Sequence, residues 1–205
     1  GEDGVELREK VVADLRDVQT QLYMQNLLDP LREWLNTEYD IKLRAQISYG
    51  KNIELSQPIT SVDYPETETR NQRDQTDIYR AWAGGAHLQN KVYSSETSAH
   101  SSMNYGFSMQ EYLQHAYAQY AGGVNRVIWH GYASKWGPEE SVQWPGYEAG
   151  MGATCCRWGD RIPSSADYAQ YNDHLGRVQT VLRAGVPQVD LAILYSDYDY
   201  ELAYE

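Results

Sequence analysis

The sequence contains few residues of several types, and each scarcity argues against a class of protein. Only 1 phenylalanine occurs among 205 residues, beside 18 tyrosines and 6 tryptophans. No run of about 18 apolar residues occurs, so the sequence predicts no membrane span. Basic residues are also few, because 17 lysines and arginines accompany 29 acidic residues, for a formal net charge of -12. This balance argues against nucleic acids and anionic membranes as partners.

Cysteine is nearly absent, and phosphate-binding and serine-hydrolase motifs are missing. The 2 cysteines, Cys155 and Cys156, are adjacent. They are either reduced thiols in a loop or a strained vicinal disulfide, since adjacent α-carbons lie only ~3.8 Å apart. No Cys/His spacing of a transition-metal site occurs. No glycine-rich loop follows a predicted strand, and no nucleophile elbow is present.

Helical and strand patterns alternate along the chain, which predicts an α/β fold with a parallel sheet. We predict helices over 5–36 (interrupted at Asp29-Pro30), 76–90, 109–120 and 168–184. We predict strands over 41–49, 59–63, 92–96, 124–130 and 190–196, and Pro65 ends the second of these because proline cannot donate to a central ladder. Such a chain forms either an open doubly wound sheet or half of a (β/α)8 barrel. A full barrel takes about 250 residues, so we expect a fragment of a larger chain.

Acidic residues cluster where the predicted strands end. Glu66 and Glu68 follow the strand at 59–63, Glu96 ends the next strand, and His130 ends the strand after that. The carboxyl ends of parallel strands share one rim, where ligands bind. A pair of carboxylates flanking a scissile bond is the machinery of glycoside hydrolysis. We therefore predict that Glu96, Glu66 and Glu68 are catalytic, although any acidic chain also places glutamates in solvated loops.

Tyrosine and tryptophan combine a flat apolar face with a hydrogen-bonding group, which suits sugars as well as wet interfaces. Side chains of this kind and several polar groups form the predicted substrate-binding set: Asp63, Asn125, Trp129, His130, Tyr132 and Trp144. Asn125 begins the strand that His130 ends. The tryptophans of the long loop after His130 could instead be plugs that close a barrel mouth.

The order of motifs in this chain resembles a known family. The motifs are Ser94-Ser-Glu-Thr-Ser98, Ala121-Gly-Gly-Val-Asn-Arg-Val-Ile-Trp-His-Gly-Tyr132, Trp144-Pro-Gly-Tyr147, Asp160-Arg-Ile-Pro163, Gly176-Arg-Val-Gln-Thr-Val-Leu-Arg-Ala-Gly185 and Val189-Asp-Leu-Ala-Ile-Leu-Tyr195. This order resembles glycoside hydrolase family 106, whose characterised members are α-L-rhamnosidases. More loosely, it is similar to other barrel exo-glycosidases, such as the family 42 β-galactosidases.

The resemblance implies a (β/α)8 catalytic domain within a large, inverting exo-enzyme. It implies that Glu96 is the general base that activates water, and that a calcium ion, with Glu66 and Glu68 as ligands, helps to hold the sugar. The general acid would come from an earlier strand, so other segments of the same polypeptide would complete the barrel. Residues 1–188 would form the partial barrel domain and 189–205 the start of a following domain or a linker strand.

Two further expectations concern the setting of this domain. A glycosidase of this type acts on an oligosaccharide or glycoside substrate and is expected to be secreted or periplasmic. The alternative is a non-catalytic carbohydrate-binding or scaffold portion of a multidomain glycosidase. In that case Tyr and Trp side chains would carry binding, and the carboxylates would only accept hydrogen bonds from hydroxyl groups.

Overall fold

The computed structural model describes residues 2–47, 53–54, 56–69, 75–98, 108–132, 142–143, 146–147, 158 and 163–193. Helix α1 covers Glu2–Tyr23 and continues through a π-helical segment, Met24–Leu28, into helix α2, Asp29–Tyr39. Pro30 lies in the first turn of α2, where its missing N–H removes no intrahelical bond. Asp40 then ends α2 in a left-handed conformation, φ 51°. The predicted helical region with a second helix beginning at Pro30 is thus confirmed.

Four short parallel strands form the main sheet, in the order in which they occur along the chain. They are β1 (Arg44–Ala45), β2 (Tyr64–Glu68), β3 (Ser94–Thr97) and β4 (Arg126–Trp129), and each pairs in parallel with the next. Two further strands, β5 (Val142–Gln143) and β6 (Gly146–Tyr147), form an antiparallel pair. The protein is therefore an α/β protein with a four-stranded parallel sheet, as the alternating pattern predicts.

The second strand lies later in the chain than predicted. Residues Gln57–Ser61 form a 3-10 helix, and the strand is Tyr64–Glu68. The prediction that Pro65 excludes a central strand was wrong, because the β2–β3 register begins at Glu66, one residue after the proline. The missing N–H of Pro65 therefore falls at the start of that ladder, a position at which sheets tolerate proline. Glu66 and Glu68 consequently lie within the sheet and not in a loop after it.

The remaining helices match their predicted positions closely. Helix α3 covers Thr76–Leu88, α4 covers Met109–Ala121 and α5 covers Tyr168–Ala184, with Gly185 at its end. Helix α4 starts with a capping box, in which Ser108 and Glu111 bond to each other's backbone N–H groups. The predicted strand at 190–196 is wrong for 190–193, which form no strand, and 194–196 lie outside the described residues.

Helix α3 packs on one face of the sheet and builds the main core with it. Fully or nearly fully buried apolar side chains form this core: Leu28, Ile47, Ile59, Val62, Tyr79, Trp82, Ala83, Ala86, Tyr93 and Val124. Gly85 permits the close approach of α3 to the 3-10 helix, since a Cβ there would lie 2.8 Å from Ile59 Cδ1.

Candidate functional site

Strand register brings the three predicted catalytic glutamates onto neighbouring positions of β2 and β3. Glu68 pairs with Glu96, and Glu66 pairs with Ser94. Side chains at every second position of a strand share a face, and neighbouring strands lie about 4.8 Å apart. Glu66, Glu68 and Glu96 therefore form one carboxylate cluster on one face of the sheet.

The opposite face of β3 packs against helices, which fixes the orientation of Glu96. Tyr93 belongs to the core with Tyr79 and Trp82 of α3. Ser95 and Thr97 both hydrogen-bond to the side chain of Gln119 in α4. Since residues alternate along a strand, Ser94 and Glu96 point to the other face. We call that face, with Arg44, Gln46, Tyr64, Glu66, Glu68, Ser94, Glu96, Arg126 and His130, the polar face. The apolar Ile128, which pairs with Glu96, also lies on it.

The side chain of Gln46 links two of the three carboxylates. Its amide nitrogen donates to Glu96 Oε2 at 2.6 Å and lies 3.5 Å from Glu66 Oε1. Both distances run to the same nitrogen, so these carboxylate oxygens lie no more than about 6 Å apart, close enough to contact one sugar ring. Gln46 thus holds Glu96 at a fixed position beside Glu66.

Glu66 is a buried carboxylate whose charge is compensated. Its Oε2 lies 3.2 Å from Arg44 Nε and accepts a hydrogen bond from Ser94 Oγ at 2.8 Å. A buried ion needs this combination of an opposite charge and hydrogen bonds. Glu96, in contrast, is partly exposed, whereas Glu68 is 4% exposed. Of the three glutamates, Glu96 is therefore the one that solvent or a ligand reaches most readily.

A guanidinium group and an imidazole group occupy the two ends of the polar face. At the amino ends of the strands, the Arg126 guanidinium lies 5.5 Å from the centre of the Tyr64 ring, which is a cation–π distance. At the carboxyl ends, His130 follows β4, and its backbone N–H donates to the carbonyl oxygen of Thr97 at 2.8 Å. The predicted position of His130 at the rim that also carries Glu96 is confirmed.

Asp63 and Asn125 do not lie at this rim, although both were predicted to bind substrate. Asp63 precedes β2, where its Oδ2 accepts hydrogen bonds from the Leu43 N–H at 2.8 Å and the Asn36 amide at 3.1 Å. Asn125 precedes β4, and its Oδ1 accepts from the Tyr93 N–H at 2.9 Å. Both side chains tie loops together at the amino ends of the strands. The placement of Asp63 after its strand was therefore wrong, whereas Asn125 lies at the start of its strand as predicted.

The electrostatic surroundings of Asp63 agree with such a structural role. Partial burial raises its pKa, but the hydrogen bonds from Leu43 and Asn36 and the charges of Arg32 and Lys42 outweigh it and leave the pKa below its usual value. Arg32 Nε lies 3.2 Å from Asp63 Oδ1. Asp63 is therefore stabilised as an anion within the protein itself.

The predicted aromatic residues differ in their surroundings. Trp129 stacks on Trp158 at a centroid distance of 4.2 Å, and its indole N–H donates to Asn172 at 2.8 Å. It alternates with His130 along the chain and packs near Tyr112 of α4, so it belongs to a second core on the helical side. Tyr132 is 67% exposed. Trp144 lies outside the described residues.

The site also contains three residues that were not predicted from the sequence: Arg44, Gln46 and Ser94. The signal for the first two was present, because residues 41–49 alternate apolar and polar side chains as a strand does. With Ala45 and Ile47 packed in or against the core, Arg44 and Gln46 necessarily face the carboxylates. The sequence does not show that β1 pairs with β2, and this pairing places β1 beside Glu66.

The described residues contain no group of three or more His, Cys, Asp or Glu side chains arranged to hold a metal ion. Glu66 is already occupied by Arg44 and Ser94, a cation and a hydroxyl donor that compete with a metal. Glu66, paired in this way, offers no free carboxylate to the expected calcium ion, which stays a prediction. None of the helices in the described ranges is long and apolar enough to cross a membrane.

No family model, curated protein or solved structure matches this chain. The resemblance to glycoside hydrolase family 106 therefore stays a prediction.

Proposed function

We propose that this chain is part of the catalytic domain of an exo-acting glycoside hydrolase that removes a terminal, α-L-rhamnoside-like sugar. Glu96 acts as the general base that activates water. The carboxylate cluster on the polar face carries this proposal, because Glu96 is its partly exposed member and Gln46 holds it in place. A general base needs a fixed position and access for water, and Glu96 combines the two.

The other two glutamates take supporting roles in this proposal. Glu66 anchors the site through Arg44, Ser94 and Gln46, and so orients the amide that holds Glu96. Glu68 lies directly across from Glu96 and adds negative charge beside the sugar. Such charge stabilises the oxocarbenium-like transition state of glycoside hydrolysis. The general acid comes from another segment of the protein, at the ~6.5–9.5 Å separation that an inverting reaction needs.

Within this proposal the four strands form half of a (β/α)8 barrel. Strand order reverses in a doubly wound sheet, and helices then cover both faces. Here the strands follow one another without reversal, and both α3 and α4 pack on the same face. This arrangement favours a singly wound barrel, whose outside carries the helices. The polar face is then the barrel interior, and its carboxyl end is the usual place of an active site.

Exposed apolar residues on α1 agree with an incomplete barrel. Val11, Leu15, Val18 and Leu22 recur every three or four residues, and each is more than half exposed. A stripe of this kind on a helix is normally buried against another element. Strands β1 and β4 are also the outer strands of the sheet, so further parallel strands could pair at either edge. Other segments of the same polypeptide are the proposed partners at these surfaces.

The test is Glu96→Gln in the full-length protein, assayed on an aryl α-L-rhamnoside. We expect kcat to fall about 10²–10⁴-fold, the usual contribution of general acid–base catalysis. Glu38→Gln, on the exposed surface of α2, is the matched control and should leave kcat unchanged. Near-normal kcat in Glu96→Gln would remove Glu96 from the mechanism. If the unmodified protein binds the sugar but never hydrolyses the glycoside, it is the non-catalytic carbohydrate-binding alternative.

A further inference from the structure

Two buried polar atoms at the carboxyl ends of β3 and β4 lack a hydrogen-bond partner within the described ranges. They are the hydroxyl oxygen of Ser98 and the Nδ1 atom of His130. Ser98 is 0% exposed. Buried polar groups in folded proteins nearly always have partners, since leaving one unpaired costs the desolvation of that group. An unpaired pair at the ligand end of a parallel sheet therefore needs an explanation.

These two residues directly follow the end of the β3–β4 ladder. Its last pair is Thr97 and Trp129, so Ser98 and His130 each come one residue later. The hydrogen bond from the His130 N–H to the Thr97 carbonyl, 2.8 Å long, keeps the two strands together at this point. Neighbouring strands are about 4.8 Å apart, a spacing that lets one small polar molecule contact both residues.

The other hydroxyl groups of β3 are satisfied within the protein. Ser94 donates to Glu66 at 2.8 Å, Ser95 accepts from Gln119 at 2.9 Å, and Thr97 donates to Gln119 at 2.8 Å. The pattern changes at Ser98, two residues beyond Glu96. The missing partner at Ser98 is therefore a local feature of the rim and not a general property of this serine-rich strand.

Ser98 also adopts a backbone conformation that serine rarely uses. Its φ is 73°, in the left-handed region that favours glycine. Non-glycine residues in this region are strained, and such strain is concentrated at ligand-binding and active sites. The left-handed backbone and the unpaired hydroxyl group thus occur at the same residue, at the end of β3.

We propose that Ser98 and His130 bind two neighbouring hydroxyl groups of the sugar on which Glu96 acts. The inference rests on the proposed function and adds Ser98 to the site. A serine hydroxyl both donates and accepts, and a neutral imidazole has one donor and one acceptor nitrogen. Sugar hydroxyl groups also donate and accept, so each protein group can pair with one of them. Binding of the sugar then satisfies both buried atoms at once.

Equilibrium binding, measured without turnover, tests this inference. The full-length protein carrying Glu96→Gln is titrated calorimetrically with L-rhamnose and with its 2-deoxy, 3-deoxy and 4-deoxy analogues. Ser98→Ala and Ser98→Gly are added to this background, the glycine variant because it retains the left-handed conformation without strain. Ser95→Ala is the matched control, since its hydroxyl is equally buried but bonds to Gln119 on the helical face.

We expect both Ser98 variants to weaken L-rhamnose binding about 10-fold, the effect of one lost hydrogen bond of ordinary strength. One of the deoxy analogues lacks the sugar hydroxyl that Ser98 contacts. We expect the two Ser98 variants to bind that analogue as tightly as the protein that retains Ser98 does. His130→Gln should show the same cancellation with an analogue that lacks an adjacent hydroxyl. Ser95→Ala should leave the ratio between analogues unchanged.

Three results would overturn the inference. The Ser98 variants could lose the same affinity for every sugar, they could bind L-rhamnose unchanged, or the protein that retains Ser98 could fail to bind it. Failure of this inference can be distinguished from failure of the proposed role of Glu96. Normal turnover by Glu96→Gln removes the proposed base but leaves the binding comparison intact. Loss of turnover in Glu96→Gln, together with equal sugar binding with and without Ser98→Ala, supports the base and removes the hydroxyl contact.

Discussion

Gln119 is the polar residue on which the position of β3 most depends, and its replacement by leucine gives the sharpest stability prediction. It is fully buried in α4, accepts a hydrogen bond from Thr97 Oγ1 at 2.8 Å and donates to Ser95 Oγ at 2.9 Å. These bonds attach the helical face of β3 to α4, directly behind Glu96. Gln119→Leu keeps a side chain of similar length and helix propensity but removes both bonds.

The expected cost follows from the two hydroxyl groups that remain. Ser95 and Thr97 are both 0% exposed, so neither can turn to water. A buried group left unpaired costs about 1–3 kcal/mol. Thr97 Oγ1 has a second contact, to the Ser95 carbonyl at 3.2 Å, which reduces its share. We therefore expect Gln119→Leu to lower the free energy of unfolding by about 2–4 kcal/mol.

Urea denaturation of the full-length protein, followed by tryptophan fluorescence, measures this change. Gln114→Leu, on the exposed surface of the same helix, is the control and should change stability by less than about 0.5 kcal/mol. Adding Ser95→Ala and Thr97→Val to Gln119→Leu should restore most of the loss, because the two hydroxyl groups with short bonds to Gln119 are then gone. The remaining contact of Gln119, to the Tyr79 hydroxyl, is long at 3.5 Å. A loss below about 0.5 kcal/mol for Gln119→Leu would refute the reasoning, as would a triple variant less stable than the single one.

Two more predictions concern a carboxylate and a helix cap. Asp63→Asn should destabilise the protein at pH 7 and less so at pH 3. The pKa of Asp63 is lower in the folded than in the unfolded protein. Its carboxylate therefore stabilises the fold above about pH 4, and this stabilisation is lost as the pH falls through the folded pKa. Urea denaturation at the two pH values checks this, and an equal loss at both would contradict it. Ser108→Ala removes the capping box of α4 and should cost about 1 kcal/mol in thermal or urea unfolding. Gln110→Ala, at an exposed position in the first turn of the same helix, leaves the cap intact and serves as its control. Equal stability of the two variants would show that the capping box does not stabilise the protein.

Strong periodicity made the helices and the sheet type predictable. The apolar spacing of α3 and α5 and the capping signal at Ser108 fixed these elements to within a few residues. Boundaries of short strands were harder, because a strand of four or five residues carries little pattern of its own. The shift of β2 from 59–63 to Tyr64–Glu68 moved Asp63 from the carboxyl to the amino end of its strand. A small boundary error therefore changed the expected role of that residue from ligand contact to structural tie.

Contacts across the sheet could not be predicted, because they depend on pairing between distant segments. Gln46 and Glu96 are 50 residues apart in sequence, and nothing local links them. Helix α4 shows the same limit, because the sequence predicts one apolar side with Leu113, Ala116, Tyr117 and Tyr120. Of these, Ala116 is buried as predicted, but Tyr117 is 43% exposed. The buried positions are Tyr112, Ala116 and Gln119. A glutamine is favoured there because Ser95 and Thr97 on the facing strand need hydrogen-bond partners, a need visible only after the two elements have met.

The polar face differs between the two ends of its strands, and this difference bears on where the proposed ligand would bind. Near the amino ends, Arg44 and Ser94 compensate Glu66, so the protein satisfies its own buried charge. Near the carboxyl ends, Ser98 and the His130 ring have buried atoms without partners in the described part of the chain. Folding alone favours pairing every such atom. A polar ligand at the carboxyl ends would supply the partners that these two atoms lack, and in parallel α/β folds ligands bind at that same end.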